Sequence, residues 1–451
     1  MAEAAPELKR VLNLPAVVFI AVGFMIGGGV FVFTGIVFKI TGPALPLAYA
    51  LAVVPVFISM MPLAMLGAAL PTTGANYRYP SRMVSPGLAF VGVWVYAWAS
   101  FFGQIPLYAL GCGRYVQSLL PSASPTLLAL GLVTAFYVVN LLGVRLAAQL
   151  QGLLVMILIA ALVFYSGSGL AVLDPANLSS GLPKGFTGLA LGTALLTFTY
   201  FGANGIIELG GEIVDPGRVI PRSFVIAFVI VLFIYIAVAL ATVGAVTPEF
   251  LKNTMEPLIQ VCRRVTGPAG ILFFTVGGAV LALLTTLNAL FIIGTKSLLM
   301  VAQDRLLPAG FGMLHKRFGT PHVLLTIVWG LSVIGILSGF SLETLASYAA
   351  LGGLIIFLPV MLASIRLPSL YPGQYERSGF KLRGFWLWFC PGVGMLLMVF
   401  CGIIILFDLK SAWKIGWFAA FIASGIIYYQ CRKRYLAGRE IRIDELVGKR
   451  L

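Results

Sequence analysis

The sequence predicts an all-α polytopic membrane protein, and three observations predict it. Sixty per cent of the 451 residues are hydrophobic and ten per cent charged, more apolar surface than a water-soluble chain of this length hides in one core. Twelve apolar stretches are each long enough to cross about 30 Å of hydrocarbon. They are apolar all round, without the alternation over about ten residues that a membrane barrel needs, so only helices satisfy their backbone in lipid.

In chain order the twelve segments cover 12–40, 43–67, 84–113, 125–143, 150–172, 187–209, 223–247, 267–301, 321–340, 344–365, 388–407 and 413–430. The first is too long for a removed signal peptide and lacks a small-residue cleavage site, so it is expected to stay in the mature chain. The longest polar stretches, 174–186, 302–322, 366–386 and the tail from 432, are too short to fold as separate domains. Function is therefore expected within the helices.

A net charge of +15 raises the question of nucleic acid, and the positions of the charges answer it. With the N-terminus inside, 22 Lys and Arg fall on the cytoplasmic side and 8 on the other. That is the bias of cytoplasmic loops. Both termini are expected in the cytoplasm of a plasma-membrane protein, and no nucleic-acid partner is expected. Arg432-Lys433-Arg434, with Arg439 and Arg442, reads as a stop-transfer anchor, anionic lipid headgroups being the alternative. Cys112, Cys262, Cys390, Cys401 and Cys431 show no CxxC spacing, and with the loop residues His315 and His322 they make no metal or disulfide framework.

Segment one carries Ile26-Gly27-Gly28-Gly29-Val30 at mid-span, and each glycine costs about 1 kcal/mol of helix propensity relative to alanine. The helix is expected to unwind there. Segment six carries Phe201-Gly202-Ala203-Asn204-Gly205 at the corresponding depth. Either cluster alone also fits close helix packing. Paired at equivalent positions, with five spans between them reversing the direction, they point to a binding site in a five-plus-five inverted repeat.

A broken helix offers N–H groups at the start of its second half and carbonyls at the end of its first, with partial charges of about half a unit. A zwitterionic amino acid matches this: its carboxylate on the amides around Gly28 and Gly29, its ammonium on carbonyls ending the first halves. Charged side chains are costly at mid-bilayer, and Glu208 is the exception near the site. It reads either as a proton or cation sensor or as an interfacial carboxylate paired with a basic loop residue.

Gly23-Phe24-Met25-Ile26-Gly27-Gly28-Gly29-Val30-Phe31 resembles the first-helix signature of the amino acid, polyamine and organocation transporter family. Pro71-Thr72-Thr73-Gly74-Ala75-Asn76-Tyr77-Arg78-Tyr79 is similar to its loop between helices two and three, with Ala75 in place of a usual glycine. Glu212 through Arg222 is similar to its loop after helix six, and Leu287-Asn288-Ala289 through Gln303-Asp304-Arg305-Leu306-Leu307-Pro308 to helix eight and the loop beyond.

The resemblance spans about 400 residues from segment one to segment twelve. It implies the LeuT-like fold: a first repeat over 1–173, a second over 174–366, peripheral helices over 367–431 and a basic tail over 432–451, with alternating access around a central site. It also implies an amino acid as cargo, its amine meeting carbonyls of Met25, Phe198 and Phe201 and its carboxylate the amides of Gly28 and Gly29. Ile26, Gly27 and Gly202 belong to the same breaks. Phe198 falls where many members carry an aromatic gate, with Phe201 beside it. Gln104, Ser347 and Tyr348 are candidates for the side-chain pocket, ordinary interhelical hydrogen bonding being the alternative. Asn204 replaces a glutamate carried by some antiporters, which argues against acid-sensing exchange.

Proton-coupled members often carry a lysine in helix five, where this chain has Leu158. Thr285 and Thr286 stand where sodium-coupled relatives of the fold carry a hydroxyl pair. The resemblance therefore implies one Na⁺ held by carbonyls of Gly23, Ile26 and Ala282 and the two hydroxyls, oxygen ligands suited to a hard cation. The alternative is two threonines bonding back to their own helix.

The expected function is secondary active transport of amino acids, by Na⁺ symport or alternatively by proton-coupled or exchange transport of amino acids or amines. No filter-like repeat suggests a channel, and no nucleophile with a base suggests an enzyme. A nutrient sensor of the same fold is the remaining alternative. Some animal members of the family it resembles pair with a heavy chain through a cysteine in the loop between helices three and four; residues 114–124 contain none, so no heavy-chain partner is expected.

Overall fold

The structure, a computed structural model, describes residues 10, 12–72, 74–142, 145–178, 181–251, 254, 256–443 and 447, without side chains at 145–154, 292, 293, 296 and 309. Lys9, Thr73, Lys252, the end of the basic tail, and the side chains of Arg145, Gln151 to Leu154 and Lys296 lie outside the described residues.

The chain is helical, and among the described residues its only extended pairing is an isolated parallel bridge between Leu12 and Ile213. Segment one forms α1 (Leu14–Ile26) and α2 (Gly29–Thr41), followed by α3 (Leu45–Ala69) and the short α4 (Ala75–Met83). Next, α5 (Pro86–Trp98) runs through a π-helical stretch, Ala99–Gln104, into α6 (Ile105–Leu119). Then come α7 (Pro125–Leu142), α8 (Arg145–Leu170), α9 (Gly185–Tyr200), the one-turn α10 (Gly205–Glu208) and α11 (Pro216–Gly244). Two short connectors, α12 (Pro248–Leu251) and α13 (Pro257–Val265), lead to α14 (Pro268–Leu272), which continues through a π-helical stretch into α15 (Leu281–Gln303). The rest is α16 (His322–Leu337), α17 (Leu342–Leu370), α18 (Pro372–Arg377), α19 (Phe385–Asp408) and α20 (Ala412–Ala437).

The helix ends follow local chemistry. The Asn13 side chain accepts the Ala16 amide at 3.2 Å to cap α1, and Ser341 accepts that of Thr344 at 3.4 Å to cap α17. Pro86, Pro216, Pro257 and Pro268 stand at first positions of helices, where a missing N–H costs nothing.

Eight stretches among the described residues are long and apolar enough to cross a membrane, one being the Leu14–Ala69 run that α1, α2 and α3 make together. Shorter apolar helices cover Val155–Leu170 and His322–Leu337. Helix overlies each of the twelve apolar segments. Large apolar side chains face outward, Leu127 70%, Phe233 69% and Phe407 78% exposed, on helices whose surroundings must be apolar. The chain is a multi-pass membrane protein.

At the centre α1 packs on α11 and α11 on α3, while α2 lies along α9. The end of α9 crosses α1 at its break, and α5, α15 and α17 stand around the pair. Outside them, α19 packs on α17 and α3, and α20 on α5.

Candidate functional site

Gly27 breaks segment one. Its φ of 31° and ψ of −146° leave the helical region, a conformation that favours glycine, and its amide closes α1 on the Gly23 carbonyl at 3.1 Å. α2 restarts at Gly29, and the Gly28 amide donates to the Thr286 hydroxyl at 2.8 Å. That hydroxyl lies 2.6 Å from where a Gly27 Cβ would be. Thr286, on α15, thus caps the second half-helix from another element.

Segment six is interrupted too, by tightening rather than by unwinding. After α9 it tightens into a 3-10 turn, Phe201–Asn204, and runs on into α10. The reason is the neighbour. A Cβ on Gly202 would strike the Phe24 backbone carbonyl, and one on Gly205 would come within 2.5 Å of the Phe24 ring. Here the glycines serve close approach to the first break, and the carbonyl of Phe198 accepts the Phe201 amide.

The breaks face a cavity of about 110 Å³. Of the residues singled out in the sequence, Gly23, Met25, Gly27, Gly28, Gly29, Gln104, Phe198, Phe201, Gly202, Asn204, Glu208, Thr285 and Thr286 line it. Ile26 and Ala282 are fully buried and outside its lining. Ser347 and Tyr348 are turned elsewhere: Ser347 donates back to the Glu343 carbonyl at 2.9 Å, and Tyr348 to that of Lys414 at 2.8 Å. Ordinary hydrogen bonding is therefore what the structure gives these two.

Aromatic rings form one wall. Phe198 stacks on Phe33 at 5.3 Å and meets Phe201 edge-on at 5.7 Å, and Phe201 meets Phe357 at 4.8 Å. Gly353 leaves room for this, since a Cβ there would lie 2.5 Å from the Phe201 ring.

Two of the three carbonyls expected to receive an amine, those of Met25 and Phe198, already have protein donors. The Tyr235 hydroxyl of α11 reaches the Met25 carbonyl at 2.7 Å and the Thr199 carbonyl at 3.2 Å. It ties the end of α1 to the end of α9, and each carbonyl keeps a second lone pair. Tyr235, Tyr108 and Tyr96 escaped the sequence reading, and Asn76 entered it only as part of a loop motif. The available signal was that a tyrosine inside an apolar helix needs a partner when buried.

Glu208 is 7% exposed, and its Oε1 accepts the Asn76 amide at 3.0 Å. That amide belongs to the first turn of α4, whose free donors and positive end suit a carboxylate. Beyond it, Arg82 of α4 makes a two-pronged ion pair with Asp304 at the end of α15, at 2.7 and 3.0 Å, with side chains 5% and 8% exposed. On the same end Leu12 pairs with the loop after α10, giving its amide to Glu212 at 3.0 Å and accepting that of Val214 at 2.9 Å.

Four of the five oxygens assigned to an ion already have partners within the protein. Thr285 and Thr286 donate to the Ala282 carbonyl at 2.9 and 2.8 Å, and Gly23 accepts from Gly27. Among the described residues no group of three His, Cys, Asp or Glu is placed to hold a metal.

A membrane-embedded helical bundle with a small cavity between two interrupted helices is the architecture of a solute carrier. The sequence profile of the amino acid permease family matches residues 16–446, and the chain belongs to that family. It is similar to an uncharacterized transporter of Mycobacterium tuberculosis, 31% identical over 319 residues, 70% of this chain and 71% of that one. It is also similar to the methylthioribose transporter of Bacillus subtilis, 26% identical over 87% of this chain and 91% of the relative. A branched-chain amino acid permease of the same organism is 23% identical over 94% and 93%. Family and relatives are transporters rather than enzymes.

Proposed function

We propose that the protein is a secondary active transporter that carries amino acids by alternating access through the cavity between the two interrupted helices. The observation that carries this reading is the convergence there of helix-end amides and carbonyls, an aromatic wall and one buried carboxylate. The substrate carboxylate is taken by the first amides of α2 and by Tyr108, whose hydroxyl lies 3.7 Å from the position of a Gly29 Cβ. The Gly28 amide reaches it only if Thr286 yields. The ammonium takes the second lone pairs of the Met25 and Phe198 carbonyls. The relatives' names cover a thiosugar and branched-chain amino acids, so the choice of an amino acid rests on this match to a zwitterion.

In this reading twelve helices cross the plasma membrane with both termini inside, as a five-plus-five inverted repeat with two peripheral helices and no heavy-chain partner. The boundaries 173, 366 and 431 divide its parts. Na⁺ is the proposed coupling ion at Gly23, Ile26, Ala282, Thr285 and Thr286, supported by two hydroxyls bordering the break and by Leu158 where a lysine mechanism would need a base. A proton taken by Glu208 is the alternative, supported by that carboxylate's position in the cavity wall.

Uptake of labelled amino acids into proteoliposomes, under an inward Na⁺ or an inward proton gradient, tests the coupling. Uptake that rises only with Na⁺ is expected. Uptake driven equally by both or by neither removes the sodium site, and binding without uptake identifies a sensor.

A further inference from the structure

Three side-chain carbonyl oxygens around the cavity lack a protein donor: Oε1 of Gln104 and the Oδ1 atoms of Asn204 and Asn76. All three residues line it. They arrive from separate elements, the π-helical stretch before α6, the 3-10 turn after α9 and the first turn of α4. Leaving a buried acceptor unmet costs roughly five- to 150-fold in an equilibrium. No Lys or Arg stands among the described lining residues to supply donors, and Glu208 adds a further acceptor.

An aliphatic substrate side chain would cover these oxygens and give them nothing. At about 110 Å³, the cavity is also far smaller than the roughly 300–1,000 Å³ of pockets that hold drug-sized ligands. Resting on the amino acid reading above, we infer that the substrate is a small amino acid whose side chain donates hydrogen bonds through a hydroxyl, amide or amino group. Gln104 and Asn204 read that donor, and the Phe198 and Phe201 rings cover the carbon atoms beside it. Asn76 and Glu208 receive it when it is cationic.

Isothermal titration of the full chain in detergent tests this with pairs matched in shape: L-threonine against L-valine, L-asparagine against L-leucine. The donor-bearing member of each pair is expected to bind about tenfold more tightly or better. L-2,4-diaminobutyrate against L-asparagine then separates a cationic donor from a neutral one. Asn204→Leu and Gln104→Leu should shrink the threonine-to-valine ratio by weakening threonine. If these variants misfold, the wild-type ratios decide alone. Valine and leucine binding as tightly as their partners would overturn the inference and leave amino acid transport standing. Binding of no amino acid at all would remove both.

Discussion

Gly202 and Gly27 do different work with the same residue type. Gly202 exists to let Phe24 pass, whereas Gly27 supplies a positive φ and ends a helix. Gly202→Ala places a methyl against backbone that has nowhere to go, and is expected to cost about 3 kcal/mol. A lower thermal midpoint together with lost binding would show it; an unchanged midpoint would contradict the close approach. Thr286 is the residue-scale hinge of the site because it caps Gly28 across 258 positions of sequence. Thr286→Ala should cost about 1 kcal/mol, as loss of a cap does, and Thr286→Ser should restore most of it. Equal midpoints for both variants would mean that the methyl, not the hydroxyl, matters.

Between elements, the contact joining α4 to the end of α15 is a buried ion pair, Arg82 with Asp304. Removing one partner strands the other charge, so Arg82→Met or Asp304→Leu should each cost about 3–5 kcal/mol. The double variant should be closer to wild type than either. Additive losses would show that the two side chains act separately. On the opposite end Glu256 precedes α13, with Arg114 at 3.8 Å. Burial holds its carboxyl above the usual carboxylate range, while Arg114 and Lys39 pull the other way. A carboxyl raised in the folded state contributes stability below its unfolded pKa and loses it as pH rises through the folded value. Glu256→Gln, which mimics the protonated form, should therefore melt above wild type at neutral pH, with the gap closing in acid. A gap that is constant with pH would contradict that environment.

Over the whole molecule, the apolar segments were legible because lipid leaves the backbone no choice but helix, and each segment carries one. The first break is legible because three glycines in succession weaken helix at mid-span by about 1 kcal/mol each, and Gly27 is where it gives way. The second interruption is legible from its glycines but its form is not: Gly202 and Gly205 look alike in sequence whether they unwind a helix or admit a neighbour, and only Phe24 across the interface distinguishes the two. The resemblance puts Ser347 and Tyr348 at the site, but a bond within α17 to Glu343 and a bond across to Lys414 of α20 hold them elsewhere. Tyr235, which joins the two helix ends, was silent because its partners are backbone atoms of distant residues.

The proposed path of amino acids runs through the cavity between α1–α2 and α9–α10. Counterflow tests it most directly, because exchange of labelled for unlabelled amino acid in proteoliposomes needs no knowledge of the coupling ion. Saturable counterflow is expected in the wild type. It should disappear in Ala289→Phe, which fills the cavity from α15, while Phe407→Leu on the outer face of α19, 78% exposed, leaves it intact. No counterflow of any amino acid by the wild type, or full counterflow through the filled cavity, would contradict the claim.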